Sequence, residues 1–422
     1  MFRLSLNKLS VLTICFLAAT PLSLTEAADW ASFRGPAGDG TSTASKLPLN
    51  WSATDNVAWK TPIKGQGWSS PVLRDGVLYI TNAIAENQDA AMTTYQLNAV
   101  AVDAESGKIL WSTLVFTQPI DSAKIHSKNS HASPTPIVTP AHVFVHFGHL
   151  GTACLTTKGK VVWKTLASKY SPVHGNGGTP ILHKNKLYFS VDGRVKTLVI
   201  CLDANTGDTL WEFDRESVAP RKFSFTTPVI IEVNGKEQLI SPASDVVQAI
   251  DPQSGKLIWQ VKYDGYSLIP KPVYHNGLVY VCTGYNTPWL YCIDPTGLGD
   301  VTSSHVRWSI QRQIPHTPSL ILDNNKIFMI SDRGIGSCLD ATTGETIWQE
   351  RIGGNYSASP IINNGNIYFT SESGDTTIIK ASDQYKVIAK NSMGESTLAS
   401  FAVTEGALFI RTETHLYRIS KH

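Results

Sequence analysis

Cysteine is scarce in this chain, six in 422 residues, and no two are adjacent or set in a Cys-x-x-Cys-His pattern. Covalent haem attachment is thereby excluded. Neither sign of charge prevails: Lys and Arg total 36 against 34 Asp and Glu, with no basic run of the kind that tracks phosphates. Nucleic acid is not an expected partner. Beyond Leu22 no apolar run reaches membrane-spanning length, so no membrane span is expected.

The chain opens with Arg3 and Lys8, an apolar run from Leu9 to Leu22, and small residues at a cleavage position in Thr25-Glu26-Ala27. The run is too short to cross a bilayer. It reads as a secretory signal peptide over 1–27, leaving an exported, soluble, monomeric chain of one domain over 28–422, periplasmic or extracellular. Leu12-Thr13-Ile14-Cys15 lacks the small residues of a lipoprotein box. Five cysteines remain. Cys154, Cys201, Cys292 and Cys338 recur at one place in a repeat and read as small buried hydrophobes. Cys282 and Cys292 flank one hairpin and are the pair that could form a disulfide.

What the chain has in abundance is one phrase: an apolar pair, Asp, a turn ending in Gly, then Trp. It runs from Ala101 to Trp111 and returns at Cys201 to Trp211, Ala249 to Trp259 and Cys338 to Trp348, with looser copies at Cys154 to Trp163 and Cys292 to Trp308. Asp can hold the backbone two residues on and Gly supplies a positive φ, so each copy is strand, tight turn, strand. A second phrase precedes each copy: Pro, apolar residues, a Gly or Asn turn, and an aromatic strand, as in Pro71 to Ile80. Together they give four short alternating strands per unit.

First strands begin at positions 71, 136, 180, 228, 272, 318, 360 and 401, which makes eight units. Four-stranded units repeated this often specify an all-β fold, an eight-bladed β-propeller of antiparallel blades. The last unit lacks a Trp-bearing fourth strand, and Asn56 to Pro62 is such a strand with no unit ahead of it. The N-terminal strand is expected to join the C-terminal blade and close the ring, removing two sheet edges. The recurring tryptophans read as filling between blades rather than as a stacking surface.

Function must then lie in the non-repeating segments that lead into each first strand, because these converge at one channel mouth. The channel-mouth candidates are Trp68, His131, His174, Asn176, Arg221, Arg312, His316 and Tyr356, a set suited to an anionic or planar ligand or to a peptide. His126, His131, His149 and His174 are expected on one side of the ring, without a spacing that demands metal. Asp192, Asp245 and Asp332 read as hairpin-turn residues. No catalytic residue and no metal ligand is assigned.

The Leu-Asp-Ala-x-x-Gly-x-x-x-Trp phrase with its Pro strand resembles the pyrroloquinoline quinone (PQQ) repeat of quinoprotein alcohol dehydrogenases and BamB-like propellers. Trp30-Ala31-Ser32-Phe33-Arg34-Gly35-Pro36 is similar to the opening of exported bacterial PQQ-binding-like propellers. Resemblance to the dehydrogenases implies PQQ with calcium at the channel mouth, an Asp base and, in many members, a disulfide between adjacent cysteines. This chain lacks that cysteine pair and their long inter-blade loops, and no cofactor is expected. Resemblance to BamB implies a non-catalytic scaffold that binds a protein or small ligand, which is the favoured function; a PQQ-dependent oxidoreductase is the alternative.

Overall fold

A computed structural model describes residues 29–86, 94–118, 125–167, 169–285 and 287–421; the expected leader lies outside them. Eight antiparallel sheets follow one another along the chain. Blade 1 consists of Val72–Arg74, Val77–Ala85, Tyr95–Asp103 and Ile109–Gln118. Blades 2 to 8 begin at Ile137–Val138, Ile181–His183, Val229–Val233, Val273–His275, Ile321–Asp323, Ile361–Asn363 and Ala402–Thr404. Blade 6 starts two residues further along than Pro318 suggests, because Ser319-Leu320 takes the place that Ser-Pro or Thr-Pro takes in five other blades.

Val57–Pro62 pairs antiparallel with His415–Ser420, so the N-terminal strand completes blade 8 as the sequence predicts. Two blades depart from four strands. Gly299–Asp300, inside the stretched copy of the repeat, adds a parallel fifth strand to blade 4, and Thr41–Ser42 does the same beside the innermost strand of blade 7.

The repeat phrase explains how blades are joined. The Nε1–H of Trp163 donates to Ala204 O in the next blade at 3.0 Å, and Trp59, Trp111, Trp211, Trp308 and Trp348 reach the following blade's turn in the same way. That turn's Gly lies under the indole: a Cβ on Gly207 would stand 2.6 Å from Trp163 Cε3. Gly is therefore required both for φ +80° and for the ring above it. Trp259 differs, donating to Gln238 Oε1 within its own blade at 2.8 Å. Blade 7 carries Ala389 at the tryptophan's place, opposite Ile378. Trp51 fills the gap from the N-terminal segment, stacked on Tyr368 at 6.4 Å between ring centroids.

A bulge precedes the tryptophan in the fourth strands, for instance between Cys201 and Leu202 pairing. The extra residue turns outward, which leaves Leu110, Leu210 and Ile347 exposed and bends the outer edge. The five cysteines among the described residues are buried and free. Cys282 pairs with Leu290 and Cys292 with Tyr280, so the candidate disulfide partners sit diagonally rather than opposite each other, and no bond joins them.

Two features shape the channel. Ser70, Thr135, Thr179, Thr227, Lys271, Ser319, Ser359 and Ser400 occupy one equivalent place ahead of the first strands. Backbone N–H groups run from blade to blade onto these hydroxyls: Ser70 to Thr135, Thr135 to Thr179, Thr179 to Thr227, Lys271 to Ser319, Ser319 to Ser359, Ser359 to Ser400 and Ser400 to Ser70, all between 2.9 and 3.1 Å. Lys271 is the one member without a hydroxyl. Just below this ring the segment from Trp30 to Ser42 crosses from one side of the propeller to the other. Trp30 bridges Leu73 of blade 1, Ala31 O accepts from Val138 N of blade 2, and Gly40 O accepts from Ile362 N of blade 7. Arg34 Nη2 donates to Leu320 O at 2.6 Å, and Lys271 Nζ to Gly38 O at 2.8 Å. Phe33, from this plug, lines the space above it.

Candidate functional site

The space above the plug is a cavity of about 1260 Å³ at the channel mouth. Its walls come from the lead-in segments and from the hairpins between second and third strands, which a propeller places on the same face. The lead-ins are tightly fixed. His174 holds φ +68°, uncommon for a residue with a Cβ, and its carbonyl accepts from His126 N and Asn129 Nδ2 at 3.2 and 2.9 Å.

Aromatic rings form a continuous arc around half of the rim. His126 meets His174 edge-on at 5.4 Å, His174 meets Phe223 at 5.3 Å, Phe223 meets Tyr266 at 5.6 Å, Tyr266 meets Tyr285 at 6.0 Å and Tyr285 meets His316 at 5.7 Å. The Arg221 guanidinium sits 4.5 Å from the Tyr266 ring centroid and donates to its hydroxyl. Burial pushes the imidazoles of His174 and His316 below their ordinary values, which keeps them neutral aromatic surfaces near pH 7.

The charged residues lining the cavity are Lys128, Arg221 and Arg333 against Asp332. Asp332 is not a free base. Its Oδ2 accepts from His316 N at 2.6 Å and its Oδ1 from Thr317 Oγ1 at 2.7 Å. Calcium takes six to eight oxygen ligands, usually several carboxylates, and one committed carboxylate does not supply them. No group of three or more His, Cys, Asp or Glu is placed to hold a metal among the described residues. The donor set of this mouth therefore does not fit calcium.

Of the eight residues expected at the mouth, Trp68, His174, Arg221 and His316 line the cavity. The other four are placed elsewhere. His131 packs its ring 4.4 Å from Tyr95, and burial lowers its pKa to about 4. Asn176 accepts from the Tyr170 hydroxyl at 3.0 Å. Tyr356 is 2 % exposed in the core between blades 6 and 7, where burial raises its hydroxyl pKa to about 12. Arg312 is exposed and stands off the wall. Successive residues of an extended segment point to opposite sides, so a one-residue offset exchanges cavity for core. The histidines divide accordingly: His126 and His174 meet at the rim, while His149 turns its ring edge to Tyr170.

Residues not singled out in the sequence complete the site. Lys128, Phe223 and Tyr266 fall in the lead-ins. Tyr285 and Asp332 come from second-to-third-strand hairpins, and the readable signal for them is the topology: those hairpins share the mouth face. Asp332, read as a mere turn residue, is a wall residue.

The family model described as outer membrane protein assembly factor BamB matches residues 49–190, 97–350 and 195–422. The chain belongs to that family. Among solved structures it is similar to BamB from Moraxella catarrhalis, at 12 % identity and a TM-score of 0.56, covering 86 % of this chain and 99 % of that one. It is similar to a europium-containing methanol dehydrogenase, at 12 % identity and a TM-score of 0.65, over 92 % of this chain and 90 % of the other. A quinohemoprotein alcohol dehydrogenase, ADHIIG from Pseudomonas putida HK5, gives 11 % identity and a TM-score of 0.61 over 93 % and 80 %. At these identities the likeness shows the fold alone. Tetrathionate hydrolase of Acidithiobacillus ferrooxidans is 23 % identical over 288 residues, 64 % of this chain and 53 % of that protein, so the chain spans about half the length of this curated relative. No helix among the described residues is long and apolar enough to cross a membrane.

Proposed function

We propose that this chain is an exported binding module that takes a protein loop or a small ligand into its channel mouth without performing chemistry on it. The observation that carries this is the aromatic arc from His126 to His316, with Arg221 clamped on Tyr266, around a cavity closed below by the chain's own N-terminal segment. Each edge-to-face contact uses one ring's edge and its neighbour's face, and the ring surface that remains towards the cavity is available to a partner. The leader composition supports export, and membership of a family described by an assembly factor accords with a binding role.

The alternative, a PQQ-dependent oxidoreductase, draws on the fold of two dehydrogenases. It is less well supported because Asp332, the acidic residue of the cavity wall, is committed to His316 and Thr317, Glu372 at the rim is held by Lys128 and Ser357, and no calcium donor set remains among the described residues. The experiment is a pair. Thermal-shift titration with 1-naphthol, a neutral planar probe, is expected to stabilise the chain, and Phe223→Ala with Tyr266→Ala to abolish the shift. Incubation with PQQ and calcium, followed by alcohol oxidation with an artificial acceptor, is expected to show no turnover; stoichiometric quinone binding with turnover overturns the reading.

A further inference from the structure

We infer that the hydroxyl ring beneath the mouth is an oxyanion site, which receives a carboxylate, sulfonate or phosphate group of the ligand on the channel axis. The inference rests on the mouth being a ligand site and states which end of the ligand goes down.

Donor arithmetic at the ring calls for an acceptor. Each hydroxyl has one proton and two lone pairs. In Ser70, Thr135, Thr179, Thr227, Ser319 and Ser400 a lone pair is taken by a backbone N–H of the preceding blade. Ser359 donates to Ser319 Oγ at 3.1 Å, but the six others find no protein acceptor for their protons among the described residues. All six line the cavity. They form a ring of O–H donors held in place through their oxygens with their protons left to the cavity, where an oxyanion can accept several of them in place of water.

Charge points the same way. Lys271, the eighth member of the ring, and Arg34 in the plug are 6 % and 2 % exposed, and neither forms an ion pair among the described residues. Nζ of Lys271 and Nη2 of Arg34 have only carbonyl partners, while Nε and Nη1 of Arg34 have none. Asp39 is the acidic group that acts on both, and its Oδ1 accepts from Thr41 N at 2.8 Å. Two buried cations sharing one nearby acid, Asp39, are costly, and an anion seated in the ring above them offsets part of that cost. Burial, and then the neighbouring Arg34, lower the Lys271 pKa to about 7, so a bound anion would hold a proton there. Higher in the cavity, Arg221 and Arg333 against Asp332 favour the same sign of ligand, with Lys128 already paired to Glu372.

The test is calorimetric titration of the full chain with sodium sulfate, phosphate and acetate at ionic strength held constant by chloride, and with 1-naphthoate beside 1-naphthol. One saturable oxyanion site per chain is expected, with 1-naphthoate tighter than 1-naphthol by at least about tenfold, as charge-assisted hydrogen bonds imply. Replacing Thr135, Thr179 and Thr227 together by Val should remove that advantage, while Ser at all three should keep it; Lys271→Met should weaken it. Equal affinity for the two naphthalene probes, both weakened by Phe223→Ala, overturns the oxyanion site and leaves the mouth reading standing. Failure of every probe to bind overturns both. Should the Val variant not fold, crystals soaked in selenate decide: an anomalous peak inside the ring supports the site, and its absence overturns it.

Discussion

Lys128 Nζ lies 2.7 Å from Glu372 Oε1, joining the lead-in of blade 2 to a hairpin of blade 7 across the channel mouth. Ser357 Oγ holds the same carboxylate oxygen at 2.6 Å, so Glu372 is the fixed partner and the half-exposed lysine the one free to swing. An exposed pair of this kind contributes at most about 1 kcal/mol to stability. Lys128→Met should accordingly leave the unfolding midpoint nearly unchanged in denaturant titration. It should, however, slow association of 1-naphthoate several-fold at low salt, with the difference vanishing at high salt, as stopped-flow measurement can show.

Trp51 replaces a blade tryptophan from outside the repeat, and the stacking on Tyr368 ties the N-terminal segment to blade 7. Trp51→Ala should cost about 3 to 5 kcal/mol, as other buried Trp truncations do. Trp51→Phe should recover more than half of that loss. A cost under about 1 kcal/mol, the scale of a surface substitution, contradicts the assignment.

Two glycines separate strain from collision. Gly406 has φ +70° and nothing within 4 Å of the place a Cβ would take, whereas Gly207 at φ +80° has the Trp163 ring 2.6 Å from that place. Gly406→Ala should cost about 1 kcal/mol from backbone conformation alone. Gly207→Ala should cost at least about 1 to 3 kcal/mol more, because the indole and its bond to Ala204 must move.

Arg215 and Asp192 form a fully buried ion pair at 2.9 Å, shared with Ser224, Ser241 and Gln248 between blades 3 and 4. Removing one partner leaves an uncompensated charge. Arg215→Met should destabilise by about 3 to 5 kcal/mol, and pairing it with Asp192→Leu should restore much of that. A loss in the double variant equal to the sum of the two single losses, by denaturant unfolding, argues against a coupled pair.

His131 and His146 are held neutral by burial, with pKa values lowered to about 4 and about 3. Their unfolded value is about 6.5, so the unfolded chain binds more protons below that pH and stability falls as pH drops from there towards the folded values. Unfolding midpoints from pH 7 to pH 4 should show this decline. His146→Gln, which retains a partner for Thr152 Oγ1, should flatten it.

The fold was legible because its Trp, Asp and Gly do one structural task in blade after blade, and repetition makes that task visible. The added strand on blade 4 was not, because Gly299–Asp300 pairs in parallel with no alternating pattern of its own. The plug was visible as a motif, yet its burial depends on Lys271 and Leu320, far away in sequence. At the site, His174 and Arg221 follow from counting first strands, but Tyr356 and His131 do not, since the side of an extended segment that meets the cavity is set by a single-residue register. The hydroxyl ring is legible afterwards: Ser or Thr precedes Pro71, Pro136, Pro180, Pro228 and Pro360, a regularity that the more conspicuous prolines overshadow.

The most direct measurement is calorimetric titration of the full chain with 1-naphthoate, a planar ring bearing one carboxylate. One site per chain is expected, weakened at least about tenfold, or about 1.4 kcal/mol, by Phe223→Ala combined with Tyr266→Ala. Unchanged affinity in that variant, or no saturable binding by the unaltered chain, contradicts a ligand site at the channel mouth.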